Sequence, residues 1–103
     1  MLIDFTTAIT NLDGEAIKDG SGEMTLREVA ISALVSTLAE PGGHAEVLQP
    51  MEKVGNARLA QTIHGADTVD LTAEQVALLK SRIGRAYAPV VVMRAWDILD
   101  PTA

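Results

Sequence analysis

The chain has 103 residues with a formal net charge of −6, and 48% of them are apolar. This length fits one domain over residues 1–103, with an aliphatic core because Phe, Tyr and Trp occur once each. The absence of cysteine excludes disulfides and cysteine zinc sites, and eight scattered basic residues argue against a nucleic-acid partner.

Residues 1–24 are predicted to form a short β-hairpin and turn region. The segment LIDFTTAIT is rich in β-branched and aromatic residues, which favour strands. Asp13-Gly14 is typical of a tight turn, because glycine accepts the positive φ angles that such turns need. Ala16 and Ile17 would then return as the second strand.

Residues 25–100 are predicted to form a bundle of three to four helices, so the fold class is mainly α within α+β. The first helix opens with a capping box, since Glu28 follows Thr25 by three residues. Apolar residues recur on one face as far as Leu38, and Pro41-Gly42-Gly43 is expected to end the helix.

A less regular second helix is predicted between His44 and His64. Pro50 would mark its first turn, and Gly65 would supply a left-handed stop. Residues 67–71 then indicate a short extended connector.

The third helix begins with a second capping box formed by Thr72 and Gln75. Its apolar stripe consists of Val76, Leu79, Ile83 and Tyr87. We expect its basic residues, which are Lys80, Arg82 and Arg85, to face away from that stripe or to flank it.

The last segment, residues 90–99, is ambiguous between a helix and a strand. Pro89 as a first-turn residue favours a short helix, whereas Val90-Val91-Val92 alone would suit a strand. Such an apolar segment must be covered on most sides, either within this core or by another subunit. We therefore name Val92, Met93, Trp96 and Leu99 as candidate interface residues. The alternative is that Tyr87 and Trp96 fill the core.

The segment from Ile17 to Glu28 partly matches a calcium-binding EF-hand loop. Asp19, Ser21 and Glu28 occupy ligand positions, but Ile17 stands where the first ligating aspartate belongs, and an alkyl group cannot coordinate calcium. The two histidines, His44 and His64, lie in different segments without metal-site spacing. We therefore predict no catalytic, cofactor-binding or metal-binding residues, and no enzyme activity.

Short motifs along most of the chain carry a family resemblance. They are Asp13-Gly14, Thr25-Leu26, Glu52-Lys53, Leu59-Ala60, Val69-Asp70-Leu71-Thr72 and Tyr87-Ala88-Pro89-Val90-Val91. Together they resemble small proteins encoded by tailed phages and prophages. The resemblance implies a phage or prophage origin and identifies no site residues.

These observations predict a non-enzymatic accessory protein that acts through protein–protein contacts, as a small homo-oligomer or with a protein partner. The chain begins without the basic and apolar regions of a signal peptide, and no apolar run approaches the roughly 20 residues of a membrane span. We therefore expect no membrane partner and a place in the cytoplasm of a bacterial host. Two alternatives stay open: a virion or assembly component, and a degenerate calcium-binding module at Asp19–Glu28.

Overall fold

The computed structural model describes residues 1–20, 22–40 and 42–101 of the chain. Within them the fold is mainly α with a small β part, as the sequence predicts. The strands are β1 (Leu2–Asp4), β2 (Lys18–Asp19), β3 (Gly22–Glu23) and β4 (Thr68–Asp70). The helices are α1 (Leu26–Val35), α2 (Pro50–His64), α3 (Ala73–Ala86) and α4 (Pro89–Leu99).

The first strand pairs differently from the prediction. β1 lies antiparallel to β4, with Ile3 opposite Val69, and not against the returning Ala16–Ile17 segment. Burial explains why β1 pairs with β4. Ile3 is the buried residue of β1, and β4 is an extended segment next to the core with which β1 can form hydrogen bonds.

The predicted turn at Asp13-Gly14 does form. The Asn11 N–H donates to the Glu15 carbonyl at 2.8 Å, and Gly14 has a φ of 84°. An isolated bridge joins Thr10 to Ala16, and β2 pairs with β3 just beyond.

Helix α1 begins as predicted and ends earlier. The Thr25 hydroxyl accepts from the Glu28 N–H at 3.5 Å, but the helix stops at Val35, and Ser36 is extended. The expectation that it runs past Leu38 to residues 41–43 is wrong, and Pro41 lies outside the described residues. The early end has a physical cause, because the Arg82 guanidinium of α3 donates hydrogen bonds to the carbonyls of Ala33 and Ser36.

Helix α2 begins at Pro50, the predicted first-turn residue, and not near His44. The Glu52 carboxylate accepts from the Gln49 N–H at 3.1 Å, which satisfies one free amide at the helix start. Gly65 follows the helix in a right-handed conformation (φ −88°), so the predicted left-handed stop is wrong.

Helix α3 has the predicted capping box, with hydrogen bonds of 2.9 and 3.1 Å between Thr72 and Gln75. Ala88, which precedes Pro89, is extended as proline requires, and residues 89–99 form a helix, so the strand alternative for this segment is wrong.

A continuous cluster of buried apolar side chains joins the N-terminal segment to the four helices. Its members are Ile3, Phe5, Ile9, Leu26, Val29, Ala30, Ala33, Leu34, Leu59, Ala60, Ile63, Leu71, Val76, Leu79, Ile83, Val91, Ala95 and Leu99.

Candidate interaction surface

Helix α4 is covered by the rest of the chain on one side only. Val91, Ala95 and Leu99, which are spaced four residues apart, are buried in the core. Met93 and Trp96 lie on other faces and remain 42% and 38% exposed. The apolar segment thus completes the core and still leaves a large aromatic side chain accessible.

The four predicted interface residues separate into two groups. Met93 and Trp96 are exposed. Val92 is half-buried against the core, and Leu99 is fully buried, so Leu99 takes no part in the surface. The core alternative holds for Tyr87, which packs against the cluster, and is wrong for Trp96.

The Trp96 ring is fixed by contacts with α3. Its Nε1 donates to the Lys80 carbonyl at 3.1 Å. The Lys80 ammonium lies 4.6 Å from the ring centroid and 3.4 Å from the Asp100 carboxylate. These contacts combine a hydrogen bond, a cation–π interaction and an ion pair, so the exposed ring has one preferred orientation.

A groove of about 360 Å³ lies beside the ring between α3 and α4. The groove is lined by the small residues Ala73, Ala77 and Ser81, together with Met1, Val76, Lys80, Trp96 and Asp100. On its other side Trp96 contributes to a second depression of about 260 Å³, with Met93 and Asp97. We call this region the Trp96 surface: Met93, Trp96 and the groove over Ala73, Ala77 and Ser81.

A buried ion pair fastens α3 to the segment between α1 and α2. The Arg82 Nη2 and Glu46 Oε1 atoms are 2.9 Å apart, and both side chains are almost completely buried. Arg85 also contacts Glu46, at 3.1 Å, and the Leu38 N–H donates to the same carboxylate at 2.9 Å. The hydrogen bond from Arg82 holds the pKa of Glu46 below its usual range, despite the opposing effect of burial.

Of the two placements predicted for Arg82, facing away from the apolar stripe or flanking it, the structure shows the second, and the side chain is buried there. Its position three residues after Leu79 and next to Ile83, at the edge of the stripe, is the sequence signal of burial. Since every oxygen of Glu46 already accepts hydrogen bonds, this cluster supports the fold and offers no group to a substrate.

The EF-hand-like segment includes β2, β3 and the first turn of α1. Ile17 packs against the core, and Glu28 lies in the first turn of α1. Ser21 and the side chain of Asp19 lie outside the described part of the structure. His44 and His64 are both exposed. Across residues 1–20, 22–40 and 42–101, no three His, Asp or Glu side chains converge as a metal ion requires.

Comparison of the chain with protein-family models, curated proteins and solved structures gives no match. None of the helices in the described ranges has the length and apolar character needed to span a bilayer.

Proposed function

We propose that this protein is a non-enzymatic accessory protein of phage or prophage origin that acts through protein–protein contact at the Trp96 surface. The observation that carries the proposal is an exposed tryptophan whose ring is fixed by Lys80 beside an apolar groove. The family resemblance supports the origin, and the proposed location is the cytoplasm of the bacterial host.

The physical case depends on how binding energy is distributed at interfaces. Tryptophan dominates many interface hot spots because it buries a large apolar area. A side chain that is already ordered loses little conformational entropy on binding. Trp96 meets both conditions, and the groove of about 360 Å³ beside it can receive an apolar side chain from a partner.

Sedimentation velocity over a range of concentrations tests the simplest partner, a second copy of the chain. We expect the wild type to self-associate and Trp96→Ala to remain monomeric. Leu12→Ala is the matched control, because Leu12 is an exposed apolar residue in the N-terminal turn region. Equal behaviour of all three proteins would remove self-association through this surface.

A photo-crosslinking amino acid at position 93 tests for a different protein partner in the host cell. We expect a discrete adduct at position 93 that disappears when Trp96 is replaced by alanine, and none from position 12. Absence of an adduct at position 93, together with a monomeric wild type, would overturn the proposal. Mass spectrometry of purified particles then distinguishes an intracellular role from a virion or assembly component.

A further inference from the structure

A separate cavity lies between the end of α1 and the start of α2, away from the Trp96 surface. It has a volume of about 230 Å³ and is lined by Val35, Thr37, Leu48, Lys53, Asn56 and Ala57, among others. Ligand pockets usually exceed about 300 Å³, so this one would admit only a small molecule or the end of a chain.

Asn56 supplies a polar side chain to the lining of this cavity. It is only 6% exposed, and its side-chain amide has no hydrogen-bond partner among the described residues. The amide atoms are not among the fully buried side-chain atoms that lack a partner, so they keep contact with solvent in the cavity. The amide can therefore donate to and accept from a ligand bound there.

Lys53 supplies a charge to the same cavity. It precedes Asn56 by three residues, so both side chains lie on one side of α2. Lys53 is exposed, and within the described ranges it forms no ion pair, as is also true of Lys18, Arg58 and Arg94.

The end of a helix usually repels an anion, because its free carbonyls carry partial negative charge. At the end of α1 this effect is reduced, since Arg82 donates to the carbonyls of Ala33 and Ser36 at 2.7 and 2.8 Å. The rest of the lining combines aliphatic residues, among them Val35, Leu48 and Ala57, with Ser36 and Thr37.

We propose that this cavity binds a carboxylate attached to a short branched aliphatic group. The carboxylate pairs with the Lys53 ammonium and accepts from the Asn56 amide, and the aliphatic group contacts the aliphatic residues of the lining. The same chemistry is present in a free short-chain acid and at the carboxyl terminus of a peptide that ends in leucine.

NMR titration of the ¹⁵N-labelled protein with isovalerate tests the site. We expect saturable shifts of the Thr37, Lys53 and Asn56 amides, and binding at least ~10-fold weaker for isovaleramide, which lacks the charge. Acetyl-Gly-Gly-Leu with a free carboxyl end distinguishes the two sources: tighter binding than isovalerate identifies a peptide terminus, and weaker binding identifies a free acid.

Two variants keep the test specific. Lys53→Gln alters an exposed side chain and should fold normally, and we expect it to weaken isovalerate binding by about tenfold or more. Asn56→Leu should abolish binding and retain the fold. Non-saturable shifts in the wild type, equal binding of isovaleramide, or unchanged binding by Lys53→Gln would each overturn the proposal.

Discussion

Glu46 connects distant parts of the molecule, although it lies in a segment without regular structure. Its two carboxylate oxygens accept from the Leu38 N–H and from the guanidinium groups of Arg82 and Arg85. Removal of both ions from water costs free energy that their attraction only partly returns. The network therefore specifies where Leu38 and Glu46 lie against α3, and the apolar core supplies most of the stability.

Replacement of one partner should be far more harmful than replacement of both. Arg82→Met leaves the Glu46 carboxylate buried without its main donor, so we expect it to reduce the free energy of unfolding by about 3–5 kcal/mol. The double variant Arg82→Met/Glu46→Leu should recover most of that loss. Urea denaturation measures both, and a double variant as unstable as the single one would contradict this account.

The same carboxylate predicts how stability depends on pH. Because hydrogen bonds from Arg82 lower the pKa of Glu46 in the folded state, its stabilisation is complete above the ordinary value of 4.5. It is lost as pH falls through the folded pKa, since the unfolded state then binds the proton first. Between about pH 6 and about pH 3, the free energy of unfolding should fall more for the wild type than for Arg82→Met/Glu46→Leu in urea denaturation. Equal slopes would contradict this.

The sequence pattern does not predict the burial of single polar residues. Hydrophobic periodicity assigns every arginine and asparagine to the solvent side, yet Arg82 and Asn56 are buried. The reason for burial of Arg82 is Glu46, which lies in a segment without regular structure far along the chain. The sequence names Met93 and Trp96 as interface candidates because they belong to an apolar segment that must be covered on most sides, and tryptophan is enriched at interfaces.

Helix α2 contains a glycine whose small size the fold does not require. A Cβ on Gly55 would meet nothing within 4 Å, and the residue lies inside the helix. Glycine there costs about 1 kcal/mol relative to alanine, so Gly55→Ala should stabilise the protein by that amount in thermal or urea denaturation.

Gly14→Ala is the matched control for that substitution. Its position is equally open, but its φ of 84° strains any residue with a Cβ. We expect it to destabilise the protein, and a gain in stability from both substitutions would contradict the argument.

At the level of whole elements, the sequence predicts the features that depend on neighbouring residues. It does not predict those that depend on contacts with residues far away in the chain. The capping residues Thr25 and Thr72 and the first-turn prolines 50 and 89 all mark helix starts correctly, because a helix start depends on neighbouring residues. The end of α1 depends on a guanidinium from α3, and the partner of β1 lies beyond α2. No local pattern contains that information.

The N-terminal segment is an integral part of the whole molecule's core. Phe5 is fully buried, whereas Leu2 in the neighbouring strand is 72% exposed. Phe5→Ala should lower the free energy of unfolding by about 3–5 kcal/mol, a large part of the stability of a typical domain. Leu2→Ala should change it little, and equal melting temperatures for the two variants would contradict this view.

The antiparallel pairing of β1 with β4 also sets an order of events during synthesis. β1 is synthesised before its hydrogen-bonding partner, residues 68–70, which follows only after α1 and α2 have been made. Closure of such a long loop is entropically costly and slows folding. Until then Ile3 and Phe5 are exposed apolar residues on a nascent chain, so the first strand to be synthesised is among the last to be paired.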